Sequence, residues 1–352
     1  MKYLKYPLFL ILAMVILFAV FLLYGTISDY RPGDKTLMFE QPDAPVLTDS
    51  IFDLMIWNIG YCGLGHEMDF FYDGGERVRC EKEIVKANLH YVLEYTASLD
   101  TCDFFLFQEV DVKSKRSYRV NQFDVLVNGL EGCHAAFGKN YDVFLVPMPV
   151  TSPYGKVLSG LATLGRMEPL SSVRHSFPGN YAWPKGTFML DRCFLVNRYP
   201  LQGGRQLLVI NTHNSAYDDG SLRKGQMDYL HGFLVDEYQQ GNYIIVGGDW
   251  NQTPAGFKPG FQHNIFDTIQ LAYIEEDYLP GDWTWFYDPS VPTNRRVAIP
   301  YNPAISPTTV IDYYLLSPNI IPLEIRGVDL GFVPSDHQPV LAKVKLKQIS
   351  GI

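Results

Sequence analysis

Six short stretches of the chain share one layout, an apolar run that stops on side chains able to bind a cation or a phosphate. Asn58 follows LMIW, Gln108 and Glu109 follow DFFLF, and the run NTHN, with His213 as its third residue, follows LLVI. Asp249 and Asn251 follow IIVGG, Asp312 lies inside TVIDYYLLS, and Ser335, Asp336 and His337 come just before QPVLAKVKL. Carboxylates, amides and imidazoles delivered from strand ends suit one kind of reaction. Hydrolysis of a phosphoester requires that charge on the non-bridging oxygens be neutralised and that a water be aligned behind phosphorus. A cation, an imidazole and a carboxylate together meet both needs. In IIVGGDWNQTP, residues 244–254, the strand aims Asp249 and Asn251, and Gly247 and Gly248 are expected to let the backbone approach the substrate closely.

Taken singly, each stretch has an ordinary explanation. Asp-x-Asn after a strand is most often a turn, because both side chains cap backbone groups. Ser-Asp-His before a strand is usually loop, and a lone His213 is more often a satisfied core or surface residue. Six such elements in one chain, each at a strand boundary, shift the balance toward a site, since loops project functional groups from a rigid sheet.

The elements that must position these residues are mostly strands. Apolar, β-branched or aromatic runs predict strands over 52–58, 103–108, 142–146, 160–165, 188–197, 243–247, 310–316, 322–328 and 338–346, with 205–212 closing a hairpin across Gly203 and Gly204. Helical spacing of apolar residues predicts helices over 77–98 and 221–239. Several strands are continuously apolar, which implies sheets covered on both faces, by each other and by helices.

The set of motifs, in the order WN, QE, NTH, GDxN, IDY and SDH, resembles the endonuclease/exonuclease/phosphatase superfamily from about residue 51 to 346. GLATLGRMEP at 160–169 is similar to the segment that usually reads G-x-A-I-L-S-R in that superfamily. The resemblance implies an α+β fold, a four-layered αββα sandwich of two mostly antiparallel β-sheets flanked by helices, shared by DNase I-like nucleases, abasic-site nucleases, inositol polyphosphate 5-phosphatases and neutral sphingomyelinases. It implies that Glu109 is the principal ligand of a divalent cation, with Asn58 beside it and Asp336 supporting the metal or the histidine. Mg²⁺ is the expected ion, with Mn²⁺ or Ca²⁺ as alternatives, since hard oxygen ligands suit all three. Asp249 would orient or deprotonate the attacking water and Asn251 would hold that water or a phosphate oxygen. Asp312 would fix the tautomer of His337, which would stabilise the phosphoryl transition state, and His213 would donate to the phosphate. The rival expectation is a non-catalytic, membrane-anchored binding protein that keeps the fold.

Residues 7–24, PLFLILAMVILFAVFLLY, are uncharged and long enough to span a hydrocarbon core of about 30 Å. Lys2 and Lys5 precede the run, which favours a cytoplasmic N-terminus and a chain carried across the membrane. A cleaved signal peptide competes with this reading. The expected organisation is a signal anchor over 1–27, a linker over 28–50 rich in Pro, Asp, Ser and Thr, and a catalytic domain over 51–348. The domain would be monomeric, on the extracytoplasmic side of a cell membrane.

Of 352 residues, 47% are hydrophobic and 19% charged, so a large core is available and wide disorder is excluded. The net charge of −9 and the lack of a basic patch speak mildly against tight, sequence-independent binding of nucleic acid. Partner classes left open are nucleic acid, a phospholipid head group or a small phosphoester. Five cysteines without C-x-x-C spacing argue against a structural zinc site; Cys62 and Cys80 could pair in an oxidising compartment, though buried thiols are the plainer reading. Weaker features are the acidic loop 66–79, the cations Lys113, Lys115, Arg116 and Arg119 after Glu109, the scattered Lys156, Arg166, Lys185 and Arg192, and the aromatic run WTWFYDP at 283–289, which suits a substrate wall or, slightly better, interior packing.

Overall fold

The structure, a computed structural model, describes residues 5–216, 220–261 and 271–348. In chain order the helices are α1 (Lys5–Ser28), α2 (Lys82–Ala97), α3 (Gln122–Gly129) and α4 (Ser221–Gln239). The strands are β1 (Lys35–Glu40), β2 (Ile51–Asn58), β3 (Phe104–Asp111), β4 (His134–Val146), β5 (Gly155–Gly165), β6 (Ser171–Ser176), β7 (Cys193–Pro200), β8 (Gln206–His213), β9 (Tyr243–Asp249), β10 (Thr284–Phe286), β11 (Asn294–Arg295), β12 (Thr308–Thr309), β13 (Asp312–Leu316), β14 (Ile320–Gly327) and β15 (Val340–Leu346).

They form a seven-stranded sheet in the order β1-β6-β7-β8-β9-β13-β10 and a six-stranded sheet in the order β14-β15-β2-β3-β5-β4, with β11 and β12 as a separate pair. Among the described residues each large sheet has one parallel pair, β8 with β9 and β2 with β3, and its other pairs are antiparallel. Parallel neighbours end on the same side. So Asn58 is in register with Gln108, and His213 with Asp249.

The continuously apolar runs are explained by burial on both faces. Leu54, Ile56, Phe104 and Leu106 point inward and pack with Leu207, Val209, Ile245 and Tyr314 of the facing sheet. Their neighbours Met55, Trp57, Phe105 and Phe107 point outward onto Val85, Leu89 and Val92 of α2 and Leu126 of α3. On the other side Leu208, Ile210, Ile244 and Val246 meet Met227, Leu230 and Leu234 of α4. The result is the α–β–β–α layering of the expected α+β sandwich. Residues 283–289 join the core: Trp285 packs on Trp250 and Tyr313, with ring centroids 5.3 and 5.8 Å away, and Trp283 on Tyr238 at 5.7 Å. All five cysteines are free thiols, four of them buried.

Several boundaries differ from expectation for local reasons. The helix expected from residue 77 starts at Lys82, because the Arg77 N–H and C=O are bonded to the loop at Asp69 and Phe71. The strand expected from residue 188 starts at Cys193, because Lys185–Phe188 winds into a 3₁₀ turn. Within the stretch expected as a linker, residues 35–40 form β1 on the edge of the seven-stranded sheet, antiparallel to β6, and Leu47 bridges to Leu201. An edge strand exposed on most positions needs no apolar alternation, so KTLMFE carries little signal.

Helix α1 is long and apolar enough to cross a membrane by length and composition. Near its C-terminal end Phe21 stacks on Phe188, and Tyr24 meets Phe144 edge-on, at 5.6 and 4.9 Å between centroids.

The glycines ahead of Asp249 do not serve the role expected of them. A Cβ on Gly247 would lie 2.7 Å from Ile56 Cγ2 and 2.8 Å from the Tyr314 ring, so this glycine lets the two sheets close on each other. Gly248 has φ +150°, and a Cβ there would meet the Thr212 carbonyl oxygen of β8 at 2.1 Å. Neither lines the cavity described below. Gly247→Val overpacks the interface between the sheets and is expected to lower unfolding stability by about 1–3 kcal/mol, as read from a shift in denaturant midpoint. A variant as stable as the parent would contradict this account of the glycine.

Candidate active site

A cavity of about 870 Å³ opens at the strand ends where the two parallel pairs terminate. Glu109, His213, Asp249, Asn251, Asp336 and His337 all face it. Asn58 and Asp312 are not on its wall; they are almost completely buried behind it. The eight residues singled out from the sequence therefore converge on one place, six on the surface of the cavity and two in support.

Local backbone geometry aims the acids. The ladder between β3 and β5 shifts register between Phe107 and Val110, and Glu109 inside this irregularity has φ +54°. Asn251, two residues past the end of β9, has φ +50°. Side-chain-bearing residues rarely take up this region without surrounding structure to hold them there, and such residues cluster at functional sites.

Asp249 is the hub. Its Oδ2 accepts from Asn58 Nδ2 at 2.9 Å and lies 3.4 Å from His213 Nε2 and 3.8 Å from His337 Nε2, while Oδ1 accepts from the Asn251 N–H at 2.9 Å. Asp312 sits directly across the β9–β13 ladder from Asp249. Its Oδ2 is 2.8 Å from His337 Nδ1, and Oδ1 has no hydrogen-bond partner among the described residues. On the other ring nitrogen, Asn294 Nδ2 approaches His337 Nε2 at 3.0 Å.

Burial and charge set the protonation states. Burial pushes the Asp249 carboxyl up, Asp312 pushes it further and His337 opposes, leaving it at about 6. For His337 burial acts against the charged ring, but Asp312 and then Asp249 outweigh it and raise the imidazole to about 10. His213 goes the other way: burial, then the positive charge of Arg192 and His337, hold it well below its usual range, and so neutral. Asp336 is raised to about 7 by burial, with His337 opposing and Glu109 adding to the rise.

Which groups could hold a cation follows from what is left over. Atoms of Asp249, Asp312 and His337 lie within 4.8 Å of one another, close enough to share an ion. Two of the three are already bonded together, however, so that cluster is better read as an internal network. Glu109 and Asp336 bring two carboxylates to the same cavity, and the buried one is held above its usual range partly by the other. Such a hard-oxygen pair fits Mg²⁺, Mn²⁺ or Ca²⁺. Asn58 Oδ1 accepts the Gly60 N–H at 3.0 Å and keeps a second lone pair for a ligand role.

Other residues were less legible. Asn294, in contact with His337, sits in VPTNRR, where nothing in the pattern marks it. Tyr61 and Tyr154 line the cavity and flank Arg116, whose guanidinium lies 3.9 Å over the Tyr61 ring, 2.9 Å from buried Asp111 and 3.7 Å from Glu109. Of the cations noted in the sequence, Arg116, Lys185 and Arg192 face the cavity, whereas Lys113, Lys115, Arg119, Lys156 and Arg166 do not. The acidic loop contributes Phe70, Tyr72 and Asp73 to the wall. Gln108 and Asn211, members of the motif set, instead join the sheets to each other: Gln108 Nε2 donates to Asn211 Oδ1 at 2.7 Å, and Asn211 Nδ2 donates to the Phe107 and Ala162 carbonyls.

The model of the endonuclease/exonuclease/phosphatase family matches residues 55–337. No curated protein matches the chain. Solved structures do. An endonuclease/exonuclease/phosphatase from Beutenbergia cavernae DSM 12333 superposes with a TM-score of 0.54 at 17% identity, over 85% of this chain and 72% of that one. TDP2 of D. rerio, complexed with a single-strand DNA product, gives 0.52 at 15% identity over 84% of this chain and all of the other. ANGEL2, a 2′,3′-cyclic phosphatase complexed with adenosine-2′,3′-vanadate, gives 0.53 at 15% over 88% of this chain and all of the other.

The charge network makes a prediction about pH. A group whose pKa is higher in the folded protein than in the unfolded chain adds stability below the unfolded value and loses it as pH rises through the folded one. His337, at about 10 against an ordinary value of 6.5, therefore contributes stability that fades between about pH 6.5 and 10. Asp312→Asn removes its main partner. In urea titrations of metal-free protein, the fall in stability from neutral to alkaline pH should be clearly flatter in this variant than in the parent; equal slopes would show that His337 is not charged by Asp312.

Proposed function

The chain belongs to the endonuclease/exonuclease/phosphatase family, and on that premise we propose that it is a membrane-anchored, metal-dependent hydrolase of phosphoesters. In this reading α1 anchors, on the extracytoplasmic side, a catalytic domain whose sheets begin with β1 rather than at residue 51. The observation that carries the chemistry is the position of Asp249. One carboxylate, held by Asn58 and the Asn251 N–H, faces the same cavity as two imidazoles in opposite charge states and two further carboxylates.

The roles follow from these states. Asp249, with a pKa of about 6, is ionised at neutral pH yet basic enough to take a proton from a water placed against it. That water attacks phosphorus as the ester P–O bond breaks. His337, kept cationic by Asp312, offers its Nε2–H to a phosphoryl oxygen where negative charge builds. Neutral His213 lies 3.4 Å from Asp249 and can donate to the water or to the phosphate. Asn251, with its side-chain nitrogen fixed to the Asn214 carbonyl at 2.9 Å, presents its remaining acceptor at a set angle. Glu109 and Asp336, with Asn58 beside them, would hold the cation. When bound, Mg²⁺, or Mn²⁺ or Ca²⁺ in its place, supplies positive charge to the non-bridging oxygens.

The test uses bis-p-nitrophenyl phosphate with the purified protein. Hydrolysis should require an added divalent cation and stop with chelator. Asp249→Asn and His337→Ala should each lower kcat by about 10²–10⁴-fold while the circular dichroism spectrum stays that of the parent. Parent-like rates in either variant, or full activity in chelator, would refute these assignments.

A further inference from the structure

We propose that the substrate is a phosphoester lipid taken from the bilayer that α1 crosses, a deepening that rests on the phosphoesterase reading above. The cavity wall carries two chemically different sets of residues: Glu109, Asp249 and His337, and the apolar Val146, Pro147, Met148, Phe188, Met189 and Leu190. A compact phosphate joined to an apolar chain matches that division. A nucleic acid, charged along its whole length, does not.

The apolar set is also what the anchor touches. Phe188 contributes to the cavity wall and stacks on Phe21 of α1, with centroids 5.6 Å apart and planes 9° apart. On the same helix Gly25 leaves room for the Phe144 and Phe188 rings at 3.3 and 3.5 Å from its would-be Cβ. Phe21 is seven residues from the helix end at Ser28, so the domain touches α1 within about 10 Å of its C-terminus at ~1.5 Å per residue. That is the depth to which interfacial apolar groups reach into the head-group boundary. Trp183 stands at this level: it is 64% exposed and donates from Nε1 to Thr26 Oγ1 at 3.1 Å. Met148, which lines the cavity and is 48% exposed, and Val150, 78% exposed two residues later, add apolar surface beside the cavity. An indole and aliphatic side chains beside the end of a membrane span are the usual composition of a bilayer-contacting rim.

The same wall carries cations suited to a head-group phosphate. Arg192 Nη1 is shielded from solvent and has no hydrogen-bond partner among the described residues, and Lys185 Nζ lies 3.6 Å over the Tyr181 ring. Arg116, by contrast, is taken by Asp111. The net charge of −9 gives a long polyanion no overall attraction to the chain.

The experiment uses the full chain reconstituted in phosphatidylcholine vesicles with Mg²⁺. Sphingomyelin, phosphatidylglycerol and phosphatidate are added in turn, released head group or phosphate is measured, and bis-p-nitrophenyl phosphate and plasmid DNA are assayed in parallel. Turnover of at least one vesicle lipid is expected. A double variant, Val150→Glu with Trp183→Glu, should lower it about tenfold by placing charge at the bilayer boundary, and leave the soluble diester rate within about twofold. Hydrolysis of a soluble probe with every lipid untouched would overturn this proposal and leave the phosphoesterase reading standing. Failure on all probes would overturn both. Lipid turnover unaffected by the two charges would refute entry through this edge. Should the double variant lose soluble activity as well, the single Val150→Glu decides the same question.

Discussion

A protonated imidazole held between two buried carboxylates is the interaction on which the site depends. His337 lies 2.8 Å from Asp312 and 3.8 Å from Asp249, and its positive charge opposes the rise that burial imposes on the Asp249 carboxyl. The arrangement separates the acids by task. Asp312 holds the ring through Oδ2, whereas Asp249 is held by an amide and a backbone N–H and keeps an edge toward the cavity. Burial keeps the second imidazole neutral, and the positive charges of Arg192 and then His337 add to the effect. One cluster thus contains a donor cation, a neutral imidazole and a weakly basic carboxylate, and each owes its state to the others.

Sheet topology makes this possible. The acid, amide and imidazole partners come from segments more than two hundred residues apart in places, such as Asn58 and His337. They meet because each sheet has a parallel pair whose strands finish at one edge, and because the sheets are pressed face to face. Gly247 and the Gln108–Asn211 amide pair show how close that contact is: one position has no room for a methyl group, and at another a polar bridge crosses the interface. Such a bridge is satisfied only in one relative placement of the sheets, so it fixes their alignment as the apolar contacts alone would not.

Much of this was legible in the sequence, for physical reasons that also mark where legibility ended. Strands buried on both faces read as continuous apolar runs, so β2, β3, β8 and β9 and the polar residues at their ends stood out. The layered fold and the convergence of Glu109, Asp249 and His337 followed from the family likeness of those ends. What escaped notice had no periodic signature. β1 is an edge strand with mostly exposed side chains, and Asn294 reaches His337 from a two-residue strand. The bend that turns Glu109 toward the cavity depends on a ladder irregularity set by β5. Gly247 and Gly248 were visible, but their purpose was misread, because a pair of glycines beside a chemical motif looks the same whether it makes room for a ligand or for a neighbouring strand.

The edge strand has a consequence for how the molecule meets its surroundings. Because β1 is zipped onto β6, only Asp29–Asp34 separate the end of α1 from the first ladder bond, six residues that stretch to about 20 Å at most. With α1 in a bilayer, such a leash forbids the catalytic face from wandering into bulk solution. For a target held in the same membrane, encounter then becomes a planar search, and the quantity governing occupancy is how many target molecules share a patch of membrane rather than how many are dissolved in a volume.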